Sequence, residues 1–275
     1  MIDLHSHTTA SDGQHAPEEL IALAHAAGVT TLAVTDHDTV AGLPAARAAA
    51  EAKGLRLVPG IELSAFLFRK EVHILGHFLD PHSPEIARFA DLLRDERLHR
   101  MEQMVQKMKQ LGYPISMEDV RRLAGDAHLA RPHLARVLVE KGYCLDTKEA
   151  FDRFLGEGQP ACVDRFRLTA EDAIRLIQGA GGTATLAHPA VSKVEEFEIA
   201  QLQRQGLAGL EVAHSDQTPS VREKLLGLAR KFDLVATAGS DFHGEKVAPG
   251  RKLGTAAMAP DAFQALHARA PRPTL

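Results

Sequence analysis

A chain of 275 residues, 45% of them hydrophobic, is long enough to bury a large core as one α/β barrel or as two ordinary domains. Its 32 basic and 36 acidic residues leave a net charge of −4, which excludes the overall basic field of a protein that coats nucleic acid but not a local basic patch. Only Cys144 and Cys162 are present, in no CxxC arrangement, which argues against a disulfide framework or a thiolate zinc site, so any metal must be held by nitrogen and oxygen.

In chain order, seven short apolar or β-branched runs read as buried strands: "IDLH", "TTLAVTD", "LRLVPGIEL", "VHILGHF", "TATLAH", "LAGLEVAH" and "LVATAGSD". Amphipathic stretches follow several of them. In "PEELIALAHAAG", Pro17 suits the first helical position, Glu18 and Glu19 sit where the helix dipole favours acids, and Gly28 terminates. This alternation predicts parallel strands with helical crossovers. From about 81 to 167 the rhythm breaks into helical patterns alone. "SPEIARFADLLRDERLHRMEQMVQKMKQLG" predicts a long helix, and "SMEDVRRLAG", "RPHLARVLVEKG" and "DTKEAFDRFLG" shorter ones. The expected organisation is a barrel built from 1–80 and 168–275, with 81–167 inserted as a helical subdomain that selects the substrate. No 18-residue apolar run appears, and the first residues lack the basic and then apolar pattern of a secretory signal; a cytoplasmic protein without membrane or obligate protein partners is expected.

Fifteen histidines is a high count, and their placement carries the argument. Almost every predicted strand ends in a metal-competent side chain: His5 and His7, Asp36 with His37 and Asp38, Glu62, His73, His188, Glu211 with His214, and Asp241 with His243. Taken singly, an HxH pair is weak, "SDG" is a turn, "TDHD" caps a helix and His188 before Pro189 is a turn residue. Together they converge, because the C-terminal strand ends of an α/β barrel meet on one face. Residues two apart on a strand point to the same side, so His5 with His7, and Asp241 with His243, can each grip together.

With these residues assembled, the chain resembles the PHP (polymerase and histidinol phosphatase) family of metal-dependent phosphoesterases. Its four motifs stand in order as "DLHSHTTASDG", "AVTDHD", "LAHP" and "GSDFH", over about 1–80 and 180–255. The resemblance implies a distorted (β/α)7 TIM-like barrel of the α/β class holding two to three divalent ions, manganese first, with zinc or iron as alternatives. By position, His5, His7, Glu62 and Asp241 should hold one ion, and Asp12, His37 and His243 a second. Glu62 would bridge to a third, held with His73 and His188. His15 is left out as a ligand and expected to cap the following helix. Water shared by two such cations loses a proton near neutral pH and attacks phosphorus in line. The leaving alcohol must be protonated, for which His214 and Asp36 are the candidates.

On the substrate side, helical spacing sets Arg97 and Arg100 among the apolar stripe of Phe89, Leu93, Met101, Met104, Met108 and Leu111. A guanidinium there needs an anion, supplied by Asp91, Asp95 or Glu96, by water through snorkelling, or by a substrate phosphate. "HLARPHLARVL" adds Arg131 and His133 at a helix start that favours anions. This insert resembles the PHP subgroup acting on nucleoside 3′,5′-bisphosphates such as pAp. The resemblance implies release of the 3′-phosphate, with Arg97, Arg100, Arg131 and His133 gripping a second phosphate. Three other readings stay open: histidinol phosphate phosphatase, 5′→3′ exonuclease action on short RNA oligonucleotides, and a non-catalytic metal- or nucleotide-binding module.

Overall fold

Seven strands form one sheet in chain order in the computed structural model, which describes residues 1–124, 129–164 and 166–275. They are β1 (Ile2–Asp3), β2 (Thr31–Val34), β3 (Arg56–Leu67), β4 (Lys70–His77), β5 (Thr183–Leu186), β6 (Gly209–His214) and β7 (Val235–Gly239). Each lies within or across one of the seven predicted runs. β2 and β5 are buried at every position, as strands covered on both faces must be. β1, β2 and β3 pair in parallel, as do β5, β6 and β7. Beyond their ends the first and last strands also meet: Leu4 N–H donates to Ala238 O at 3.2 Å, Asp241 N–H to His5 O at 2.9 Å and His7 N–H to Phe242 O at 3.0 Å. The sheet is thereby a nearly closed, TIM-like barrel.

One strand runs against expectation. β4 is antiparallel to both β3 and β5, because Leu67 pairs with Lys70 and only Phe68 and Arg69 remain for the connection. Two residues make a hairpin, whereas a parallel crossover needs a dozen or more. Glu62 and His73 are consequently interior to β3 and β4 instead of at their ends, and the reversal of β4 brings them together.

Helices α1 (Pro17–Ala26) and α2 (Leu43–Lys53) follow β1 and β2; α1 opens on Pro17 with Glu18 and Glu19 in its first turn, as the sequence predicts. α3 (Pro84–Gln110), α4 (Met117–Ala124), α5 (Arg131–Glu140) and α6 (Thr147–Ala150) come next. The last predicted helix of this stretch is split: after one α-turn the chain widens into a π-turn over Phe151–Leu155, with Gly156 N–H donating to Phe151 O. Gly125, which closes the "SMEDVRRLAG" pattern, and His128 of "HLARPHLARVL" lie outside the described residues. The chain then continues through α7 (Ala170–Gly179), α8 (Glu196–Arg204), α9 (Pro219–Lys231) and α10 (Pro260–Ala268).

The chain divides into two compact units, Met1–Ala87 with Arg167–Leu275, and Arg88–Phe166. The second has its own apolar core around Met101, Met104, Met108, Leu134, Leu138 and Leu155. Both cysteines are free. No helix among the described residues is long and apolar enough to cross a membrane.

Candidate metal centre

Glu62 organises the centre. It is 1% exposed, and five imidazoles crowd its two oxygens. His73 Nδ1 and His188 Nε2 lie 2.8 and 3.1 Å from Oε1; His5 Nε2, His7 Nε2 and His37 Nδ1 lie 3.1, 3.0 and 3.4 Å from Oε2. Asp241 Oδ1 stands 3.2 Å from His5 Nε2 and 3.3 Å from His7 Nε2. On the more exposed side, Asp12 Oδ1 is 3.2 Å from His243 Nε2 and Oδ2 is 3.8 Å from His37 Nε2. Three overlapping donor groups result: His5, His7, Glu62 and Asp241; His7, Asp12, His37 and His243; and His37, Glu62 and His73.

The residues fit cations on their own chemistry. Both ring nitrogens of His7, Nδ1 of His37 and Nδ1 of His188 are buried without a hydrogen-bond partner among the described residues. His7 is thus at hydrogen-bond distance from two carboxylates but without the angles. His5 sharpens the case: Glu211 Oε1 takes Nδ1 at 3.0 Å, so a neutral ring turns its Nε2 lone pair toward the oxygens of Glu62 and Asp241. Lone pairs facing one another in a dry site repel unless a proton or a metal ion lies between them. Burial pushes the imidazolium form of His5 down, yet Asp241, Glu62 and Glu211 outweigh it and hold the group well above its ordinary value. His7, also opposed by burial, is raised to about 9 by Asp241 and Glu62. At His37 burial prevails and lowers the group to about 4. Against burial, the neighbouring His243, His37 and His7 draw Asp12 down to about 2. The nitrogen and oxygen donor set, without sulfur, suits a borderline or hard divalent ion.

Backbone geometry was spent to build this. Asp38, His188 and Asp241 all adopt positive φ, at 54°, 25° and 52°, a conformation that costs about 1–3 kcal/mol and persists where the surroundings over-determine it. Gly239 has no side chain for a simple reason: a Cβ there would collide with His5 Cβ.

Asp36 and His214, expected to protonate the leaving group, are otherwise engaged. Buried Asp36 accepts from Thr8 N–H at 2.7 Å, Thr8 Oγ1 at 2.8 Å and Ser11 Oγ at 2.8 Å, tying the loop that carries Asp12 to the end of β2. Donors thus fill both of its oxygens. His214, fully buried, accepts Asp216 N–H at Nδ1 and donates Nε2–H to Asp241 Oδ2 at 3.0 Å. It orients a candidate ligand. His15 stacks on Phe242 and sits 3.5 Å from Glu19 of α1.

In the helical unit, Arg97 is exposed, so its spacing along the apolar stripe does not bury it; a long side chain turns outward from such a position. Arg100, half-buried, donates to Val163 O at 2.7 Å. Arg131 opens α5, donates to Leu155 O at 3.3 Å and lies over the Phe151 ring. His133 Nδ1 accepts Ala130 N–H at 3.1 Å and closes the start of the same helix.

Two participants had no role assigned from sequence. Glu211 holds both His5 Nδ1 and the His188 N–H, the latter at 2.7 Å; its place beside His214 at a strand end was the available signal. Arg251, which grips Asp241, lies in a loop without periodicity and gave none.

The PHP domain family matches residues 3–83. The chain is 38% identical to the 5′-3′ exoribonuclease Rnm of Salmonella typhimurium, covering 88% of this chain and 84% of that protein. It is 36% identical to the 3′,5′-nucleoside bisphosphate phosphatase of Chromobacterium violaceum, over 90% and 88% of the two. A crystal structure from Bifidobacterium adolescentis, described as a metal-dependent phosphoesterase, superposes with a TM-score of 0.72 at 32% identity, covering 98% of this chain and 96% of the other. The chain belongs to the PHP family of metal-dependent phosphoesterases.

Proposed function

We propose that the protein is a manganese-loaded, cytoplasmic phosphatase that removes the 3′-phosphate from a nucleoside 3′,5′-bisphosphate such as pAp, leaving the 5′-monophosphate. The observation that carries the reading is the set of three overlapping donor groups joined through Glu62 and His37, which matches a centre of up to three ions. The likeness to a bisphosphate phosphatase along nearly the whole of both chains supports the substrate. Divalent ions bound there would acidify water and offset the charge that builds on the phosphate oxygens. The chain's own residues do the holding: His5, His7, Glu62 and Asp241 for one ion, Asp12, His37 and His243 for a second, and His73 and His188 with Glu62 for a third. Glu211 and His214 keep three of these ligands, His5, His188 and Asp241, in orientation. Arg97 and Arg131 are assigned to the 5′-phosphate, whereas Arg100 and His133 serve to hold the helical unit together.

A second reading, stepwise 5′→3′ cleavage of short RNA, draws support from the exoribonuclease relative at similar identity. Turnover of pAp, AMP, histidinol phosphate and a dinucleotide with or without a 5′-phosphate separates the readings. We expect the highest kcat/KM for pAp, and a KM for pAp raised about tenfold, or about 1.4 kcal/mol, by Arg97→Ala or Arg131→Ala at constant kcat. A singly phosphorylated substrate turning over best overturns the choice; faster cleavage of the 5′-phosphorylated dinucleotide transfers it to the second reading.

A further inference from the structure

The two oxygens of Asp241 face different ways. Oδ1 lies among the donor atoms of His5, His7 and Glu62, whereas Oδ2 accepts from His214 Nε2 and from Arg251 Nη1. Arg251 also reaches the Asp241 carbonyl with Nη1 at 3.2 Å, and its Nη2 holds Asp216 Oδ2 at 2.5 Å. Asp216 in turn donates its backbone N–H to His214 Nδ1 at 3.1 Å. His214, Asp216, Arg251 and Asp241 therefore form a closed ring of contacts, drawn from the end of β6, the turn after it and the loop after β7. Such a ring fixes the rotation of a carboxylate, which a single hydrogen bond does not. It also clamps a backbone held at φ +52°.

We propose that Arg251 is a positioning residue for Asp241: by gripping the far oxygen and the carbonyl it aims Oδ1 at the ion shared with His5, His7 and Glu62, and so sets the affinity of that site. This rests on the metal-centre reading and not on which phosphoester is cleaved. An opposing effect gives the test its sign. A guanidinium near a cation site repels the cation, so if charge alone mattered, removing Arg251 would tighten binding. Orientation prevails here because the guanidinium is neutralised by two carboxylates, Asp216 and Asp241, and bridges them as only a planar fork can.

The test is calorimetric titration of the metal-free full-length protein with Mn²⁺, with melting curves on the same samples. Arg251→Met should weaken one Mn²⁺ site by about 10- to 100-fold, the range for groups that orient a ligand from behind, and spare the remaining sites. Arg251→Lys keeps the charge but not the fork, and should also weaken that site, by about tenfold. Asp216→Asn should do so less, and should add little to Arg251→Met, because its influence runs through the guanidinium. Turnover lost in Arg251→Met should return as Mn²⁺ is raised. Unchanged or tighter Mn²⁺ binding in Arg251→Met overturns the proposal, as does a raised substrate KM at unaltered Mn²⁺ affinity, which makes Arg251 a substrate contact. If Arg251→Met fails to fold, Arg251→Lys and Asp216→Asn carry the same test: unchanged Mn²⁺ affinity in both overturns the proposal. Failure to cleave pAp leaves these affinities unaffected and bears only on the proposed substrate.

Discussion

The barrel unit and the helical unit treat buried polarity in opposite ways. In the barrel, His5, His7, Asp36, Glu62, Glu211, His214 and Asp241 all lie at 5% exposure or less. Between residues 88 and 166 no described polar or charged side chain is buried; the core there is mainly methionine, leucine, valine and alanine, with Ile115, Cys144 and Phe154, and its ion pairs, such as Arg122 with Glu140 and Lys148 with Asp152, sit at the surface. Surface pairs of that kind contribute about 0–1 kcal/mol, whereas burying unpaired charge costs several. The barrel therefore gives up stability to assemble its donor groups. The helical unit gives up little.

Removing the charge at the centre has the largest expected effect. Glu62→Gln keeps the shape but leaves five imidazoles facing an amide, and we expect kcat to fall by about 10³-fold or more, on the order of 4 kcal/mol, with bound metal lost in parallel. Elemental analysis beside phosphate-release kinetics checks it. A Glu62→Gln protein with full metal content and ordinary turnover would put the centre elsewhere.

Below the centre the contrast can be sharpened by acid. His77 is fully buried and donates Nε2–H to Leu4 O at 2.9 Å. Burial, only partly offset by that bond, lowers the group to about 4. The sign follows from the proton count. Between its ordinary value near 6.5 and about 4, the unfolded chain binds a proton at His77 that the folded chain refuses, so stability is complete above pH 6.5 and falls as the pH drops through that window. The loss by pH 4 is on the order of 3 kcal/mol. Denaturant unfolding of His77→Gln against the parent should show a shallower decline from pH 6.5 to 4. Parallel curves would mean that His77 is not the group refusing the proton.

What could be read from the sequence follows the same division. Strands fix where a side chain goes, because Cβ atoms alternate and parallel ends converge; that is why His5, His7, Asp241 and His243 stood out by spacing alone. The reversal of β4 was less accessible. "VHILGHF" reads alike in either direction, and only the two residues left between Leu67 and Lys70 impose the hairpin. The partners of Asp36 and His214 were not legible because a motif names a residue type and not what its far atoms touch: Thr8 and Ser11 in one case, Asp241 and Asp216 in the other. At Arg97 helix periodicity left several outcomes open, and the exposed side chain is the snorkelling one, its flexible bonds carrying the charge outward from an apolar stripe. Arg251 illustrates the remaining limit. It lies ten residues beyond Asp241 in a loop, where nothing periodic announces a contact.

The smallest expected effect lies in the helical unit and tests whether His133 is structural. His133 occupies the third position of α5, and its Nδ1 takes the N–H of Ala130, one of the donors that a helix start leaves without an intrahelical partner. Ala130 has no side chain to accept the N–H groups of the first turn, so His133 supplies only the reciprocal half of a capping box, accepting the N–H of Ala130. Removing it should cost about 1 kcal/mol, a fall in Tm of roughly 2–4 °C for a protein of this size. If His133 serves the architecture of the helical unit, His133→Ala should melt earlier yet show the parental KM for pAp to within about twofold. A tenfold rise in KM at unchanged Tm would return His133 to the substrate.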